Sequence, residues 1–336
     1  MPLLNLRARP RVVLITDPGP DPDDIKVILV LATQHILRRV QLCAVVCNGG
    51  CQALERARLA RCVLDTMGVT DVPVGVGSAG LPITPQPHEY NIAGYEETPE
   101  DSVVADGAAL LDQTFAAAAP KSVRLVCISS LRDAADLFER AGSLVLDRLA
   151  MVAIQGGLQR SGRSDSYGWE PDSSVNNAFD MEAAARVYEF CREHCVRVCV
   201  VSRHAVPLLP MQLAFSFALR TPCPVMAYLA RAQSLGLEGL WVKLCDGLLP
   251  ARCTKEWFFE TFCGVSREAF AVAGHNRLGR EAVIADHLNG YVKPYDVIAV
   301  MTALPQTEHY FDDFGCSWGG MRHRSTSFSG GGRGGA

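Results

Sequence analysis

Short apolar runs recur along this chain, and between them lie longer segments whose apolar residues return at every third or fourth position. The first pattern suits a strand buried on both faces, the second an amphipathic helix. Strands are expected at 12–16, 40–46, 123–128, 149–154 and 196–201, and helices at 24–33, 52–67, 106–118, 131–141 and 181–194. Each strand leads into a helix, so the predicted class is α/β: a mostly parallel central sheet flanked by helices, in the manner of Rossmann-like open sheets. Asp180 stands where a helix beginning at Met181 needs its cap. The stretch 207–262 is richer in long apolar and aromatic residues and predicts helices covering the sheet. A last helix should follow Asp296 and run to Leu304.

Composition narrows the picture. With 336 residues, the chain has ample length for a large core. We expect one domain over 11–316, preceded by a 1–10 extension and followed by a Gly/Ser-rich tail, 317–336, that reads as disordered. The net charge is −4 and no basic stripe appears, which argues against nucleic acid and anionic membranes as partners. No apolar run approaches the roughly 18 residues that span a bilayer. The first ten residues lack the apolar centre of a secretion signal. Many of the 13 cysteines sit inside apolar runs, as expected of reduced thiols in a cytoplasmic protein. The spacings Cys43-x3-Cys47-x3-Cys51 and Cys191-x3-Cys195-x3-Cys199 lack histidine partners and do not read as zinc sites.

The segment Asp17-Pro-Gly-Pro-Asp21-Pro-Asp23-Asp24 puts four carboxylates between two apolar runs. In isolation an acidic Pro/Gly loop is a solvated turn. Here it closes a core strand, at the sheet edge where open α/β folds bind ligands. Four crowded negative charges repel, and a hard divalent cation with oxygen ligands relieves them. Other polar residues end strands as well: Asn48 after Val45-Val46-Cys47, and Gln155 before Gly156-Gly157, where glycines let a ligand approach the backbone. Asn176 and Asn177 precede Asp180, and Asp296 precedes the final apolar helix. Each has a plain alternative: turn chemistry for Asn48, helix capping for the asparagines and for Asp296. His204, at a strand end from which it could line the pocket, reads first as structural; His88 sits in a Pro-rich loop that could lid the site, though nothing requires it. No G-x-S-x-G suggests a serine nucleophile.

Taken in order, these motifs resemble the inosine–uridine-preferring nucleoside hydrolase family, whose fingerprint is a strand followed by D-x-D-P-G-x-D-D and a helix. The resemblance covers roughly residues 11 to 305 and includes Val72-Pro-Val-Gly-Val-Gly77 and Ala153-Ile-Gln-Gly-Gly157. It implies that Asp17, Asp24 and Asp296, with the backbone carbonyl of Ile128, hold Ca2+. It implies that Asp23 is the general base, that Asn48 and Asn176 line the ribose pocket beside Gln155, and that members assemble as homo-oligomers. The implied reaction is calcium-dependent hydrolysis of a nucleoside's N-glycosidic bond, through an oxocarbenium-like transition state, releasing base and ribose.

The chain departs from the family pattern in four places. Its loop is two residues longer, so a second register puts Asp21 at the base position and Pro22 at the ligand position. Ile15 replaces the first acid of the fingerprint. Tyr295 stands where a histidine serves as leaving-group acid, and Ser174 where a glutamate meets the 5′-hydroxyl, with Glu170 or Asp172 as substitutes. The alternative is therefore a catalytically impaired relative that binds ribose-containing ligands. A metal-assisted phosphatase is a third reading, although no convergent Lys/Arg set is apparent.

Overall fold

The computed structural model describes residues 9–19, 21–80, 85, 88–161, 168–213 and 223–307, and the backbone of 316–318 and 321–323. Most of the 1–10 extension and of the 317–336 tail lies outside these; Cys316–Trp318 and Met321–His323 pair antiparallel.

Six parallel strands form the central sheet: β1 (Arg11–Thr16), β2 (Gln41–Cys47), β3 (Val74–Val76), β4 (Val123–Cys127), β5 (Leu149–Gln155) and, later in the chain, β8 (Val198–Val201). Between β5 and β8 a small antiparallel pair intervenes, β6 (Leu158–Arg160) with β7 (Trp169–Pro171). The strand order is β3-β2-β1-β4-β5-β8. The chain thus moves outward from β1 to β3, then returns to the other side of β1 with β4. That reversal opens a crevice above the carboxyl ends of β1 and β4. Residues 12–16 of β1 are all buried, as both faces of the sheet are clothed.

The helices are α1 (Asp23–Ile36), α2 (Ala53–Thr66), α3 (Gly107–Ala116), α4 (Arg132–Arg148), α5 (Val175–Phe179) and α6 (Met181–Glu193). In α1 the buried Ile25, Ile28, Leu31 and Ala32 recur at helical spacing and join the core with β1 and the helix Tyr295–Ala303. Burying each large aliphatic side chain contributes about 1.5–3 kcal/mol. Leu111, Phe115, Leu137 and Val187 from α3, α4 and α6 build the core on the opposite face. Asp180 caps α6 as expected, accepting from Ala183 N–H at 2.9 Å. Helix α4 runs past its expected end: it breaks at Ala141, where φ is −128°, then continues to Arg148. Gly142 follows that break and lies against Phe190, where an added Cβ would meet the ring at 3.4 Å.

The region 207–262 behaves differently from expectation. The helix Pro224–Cys245 does pack its first half on the sheet core, through Val225, Tyr228 and Leu229. Its second half belongs to a separate cluster of Trp241, Phe258, Phe259 and Phe270, which forms a cap beside the crevice. The cap also contains a π-helical turn, Phe259–Cys263, and a short pairing of Leu209–Pro210 with Tyr291–Val292. Aromatic residues there bury each other rather than the sheet.

No disulfide is seen among the described cysteines. No described helix is long and apolar enough to cross a membrane.

Candidate active site

Strand β1 delivers Asp17 to the crevice, and the Pro/Gly loop turns the chain into α1. Pro22 precedes the helix, and Asp21, exposed, accepts from the Asp23 N–H at 2.9 Å. Asp23 and Asp24 therefore occupy the first turn, where the helix dipole favours carboxylates. Both are buried. Asp24 accepts from the Thr16 hydroxyl at 2.5 Å and from the Asp17 N–H at 3.1 Å, which folds the loop back on β1. Pro22 is the N-cap residue of α1, and Asp21 and Asp23 both line the crevice beside it.

The far end of the chain meets this loop. Asp296, in the first turn of the helix Tyr295–Ala303, donates its N–H to the Asp23 carboxylate at 3.1 Å. Its side chain does not cap that helix, and it is buried. Burial raises the pKa of Asp296 well above the carboxylate range, and Asp24, Asp23, Asp21 and Asp17 raise it further. Burial likewise raises Asp17, with Asp24 adding to the effect and Arg56 opposing it. Asp23 is pushed up to about 6 and Asp24 to about 7, chiefly by burial. Acids from residues 17 to 296 thus feel each other's charge in one place.

A second group gathers at the ends of β4 and β5. The Asn176 amide donates to the Ile128 carbonyl at 2.9 Å and to Gln155 Oε1 at 2.5 Å. Ile128 itself donates its N–H to the Ile15 carbonyl at 3.0 Å, so it abuts the end of β1. Asn176 and Asn177 face inward from α5 and do not cap α6; Asn177 donates to the Gly157 carbonyl at 2.8 Å. Asp172 packs against Gly157 and accepts from the Ser174 N–H, whereas Glu170 pairs with exposed Gln159.

Asn48 belongs to a third group. It is fully buried and donates to Ser130 O at 3.0 Å and to Asp133 at 2.7 Å, while its Oδ1 has no hydrogen-bond partner among the described residues. Asp133 also accepts from the Ser78 N–H and hydroxyl, both at 2.8 Å. It ties the β2 and β3 exits to α4. Joining this group to the acids is Arg56, a residue the sequence reading passed over. It is 1% exposed, and its Nη1 donates to the Asn48 carbonyl at 2.8 Å and to Asp17 at 3.3 Å. Its position was encoded in part: Ala53, Ala57 and Ala60 mark the buried stripe of α2 on which it lies.

The donors suit a hard divalent cation. Asp17, Asp24, Asp296 and the Ile128 carbonyl offer only oxygen, and burial, with the acids' mutual repulsion, raises the pKa of all three carboxyls. Among the described residues, no group of three or more His, Cys, Asp or Glu side chains already stands in ligating arrangement. Asp17 is instead paired with Arg56, Asp24 with the Thr16 hydroxyl, and Asp23 with Lys26 at 3.4 Å.

Beside the acids a cavity of about 410 Å³ opens between α1 and the cap. Asp21, Asp23, Lys26 and Tyr295 form its floor; Leu237, Trp257 and Phe262 form an apolar wall; His88, Lys243 and Lys293 stand around it. The volume is within the usual range for small-molecule sites. Burial, with Asp21 and Asp23 nearby, raises the Tyr295 pKa, so its hydroxyl keeps its proton. His204 is exposed, beside Arg203, and away from this lining.

Comparisons with known proteins agree with this architecture. The family model for inosine-uridine preferring nucleoside hydrolase matches residues 12–312. The effector protein XOO4466 is 26% identical, with a TM-score of 0.74 over 94% of this chain and 88% of that one. The type III effector protein XopQ, in complex with adenosine diphosphate ribose, is 25% identical with the same score and coverage. A purine-preferring ribonucleoside hydrolase from Gardnerella vaginalis shares the fold at 14% identity, TM-score 0.55, over 90% of this chain and 81% of that one. A search of curated proteins found no significant match.

Proposed function

We propose that this chain, which belongs to the inosine-uridine preferring nucleoside hydrolase family, hydrolyses the N-glycosidic bond of a ribonucleoside with the help of one divalent cation, calcium first among the candidates. One observation carries the reading. Asp23, which lines a nucleoside-sized cavity, accepts the backbone N–H of Asp296 from the far end of the chain, and Asp24 beside it acts on the Asp296 charge.

Each residue then has a task. Asp17, Asp24, Asp296 and the Ile128 carbonyl hold the cation; when bound, such an ion supplies positive charge that acidifies water and grips oxygen ligands. Asp23, with a pKa near 6, is ionised at neutral pH yet basic enough to accept a proton from the attacking water. Asn176, Gln155 and Asn48 fix the sugar side of the crevice. Trp257 and Phe262 give the leaving base an apolar wall. The Tyr295 hydroxyl stays protonated and donates a hydrogen bond to the departing base. The test is base release from a panel of purine, pyrimidine and nicotinamide ribosides, with protein stripped by chelator and then resupplied with Ca2+. Turnover that depends on the ion supports the reading; no turnover of any riboside overturns it.

A second reading is binding without cleavage. It is favoured by Lys26, Lys243 and Lys293 around the cavity, which suit phosphates, and by the similarity to XopQ, whose structure holds adenosine diphosphate ribose. On that reading ADP-ribose raises the melting temperature and no ribosidic bond breaks.

A further inference from the structure

The acid cluster already contains a cation of its own. Arg56 is almost wholly buried, and one guanidinium nitrogen lies 3.3 Å from Asp17 and 2.8 Å from the Asn48 carbonyl. The fold makes room for it. Gly49 has a φ of +86°, and a Cβ there would stand 2.5 Å from Arg56 Nη1. A side chain at 49 would be strained and would collide with the guanidinium. Arg56 Nε has no partner among the described residues, while the guanidinium also hydrogen-bonds the Tyr90 side chain.

This bears on the divalent ion. The guanidinium engages Asp17 Oδ2, so part of the carboxylate's charge is already committed when an ion arrives. Two cations sharing one carboxylate in a buried site also repel each other strongly. Conversely, with no ion bound, an unpaired Asp17 among Asp24, Asp23 and Asp296 would be costly. We propose that Arg56 is a resident counter-cation for Asp17: it neutralises the site in the metal-free protein, and a divalent ion binds only as Asp17 exchanges the guanidinium for the ion. Arg56 is thus a positioning residue that weakens cation affinity and lets the fold persist without metal. The inference rests on the cation reading above and concerns its regulation.

The test is calorimetric titration of chelator-stripped protein with CaCl2, comparing wild type with Arg56→Gln, Arg56→Met and Arg56→Lys. Met and Gln keep much of the buried stem and remove the charge; Lys keeps the charge. Arg56→Gln and Arg56→Met should bind Ca2+ at least about tenfold more tightly, with Arg56→Lys close to wild type. Equal or weaker binding in the neutral variants would overturn the inference while leaving the cation reading intact. Absence of Ca2+ binding in every protein would overturn both. A readout on the wild type covers the case of poorly folding variants. In a spectrum of ¹⁵N-arginine-labelled protein, the Arg56 Nε–H signal should move on Ca2+ saturation; an unmoved signal contradicts the exchange.

Discussion

The carboxylate of Asp23 accepts the backbone N–H of Asp296 at 3.1 Å, across a sequence separation of 273. This bond pins the first turn of α1 to the first turn of the helix Tyr295–Ala303. It orients Asp23 and brings the Asp296 side chain into the field of Asp24 and Asp17. The acids that would serve catalysis and those that would hold an ion are therefore set by the same contact.

Replacing Asp23 by Asn keeps its size and an oxygen able to accept the Asp296 N–H, but removes the base. Turnover of whichever riboside proves to be a substrate should fall by about 10² to 10⁴. The melting temperature should not fall, because the neutral amide spares the fold a buried charge. Steady-state kinetics beside a thermal melt check this, and activity within a few-fold of wild type would remove Asp23 from the role.

Tyr295→Phe separates hydrogen-bond donation from packing, because the ring packs on the core formed by α1 and the last helix. With its pKa raised, the tyrosine donates throughout the neutral range. We expect kcat to fall about tenfold, in line with the loss of one hydrogen bond of about 1.4 kcal/mol, with the largest loss on substrates with poor leaving groups. An equal effect on good and poor leaving groups would refute leaving-group assistance.

Stability of the chelated protein should fall as pH rises. Asp23 and Asp24 titrate near 6 and 7 in the fold, above the ordinary aspartate value near 4 of an unfolded chain. Between these limits the folded state holds more protons, so its stability is fullest below about pH 4 as far as these groups are concerned and is lost through pH 6–7. A divalent ion relieves that loss. Melting curves at pH 5 and pH 8 should show a larger Ca2+-induced rise at pH 8; a larger rise at pH 5 contradicts the assignment.

Asp133→Ala removes the acceptor for Asn48 Nδ2, Ser78 N–H and the Ser78 hydroxyl together. Leaving buried donors unpaired should cost about 2–4 kcal/mol of folding stability. Denaturant unfolding measures it, and a change under 1 kcal/mol would mean that these donors find other partners.

The acids of the first loop were legible because they are local: a buried strand, a Pro/Gly turn and a helix start fix Asp17, Asp23 and Asp24 within eight positions. The parallel sheet was legible for a similar reason, since fully buried strands read as continuous apolar runs. Ile128 needed a family pattern to be singled out, and Asp296, noted at its helix start, needed that pattern to be joined to the loop acids, because their partners are distant in sequence. Arg56 escaped notice, since Glu55-Arg56-Ala57-Arg58 reads as the charged face of a helix and only tertiary packing turns one arginine inward. The cap was misjudged because its short helices and π-helical turn are held by aromatic clustering, which carries no period. The short strand β3 was missed for its length, three residues of which one is glycine.

The most direct measurement is calcium titration of chelator-stripped wild type, Asp24→Ala and Asp296→Ala, with circular dichroism to verify folding. The account predicts a single ion per wild-type chain and its loss in both variants. Binding undiminished in folded Asp296→Ala would contradict a shared ion between the two ends of the chain.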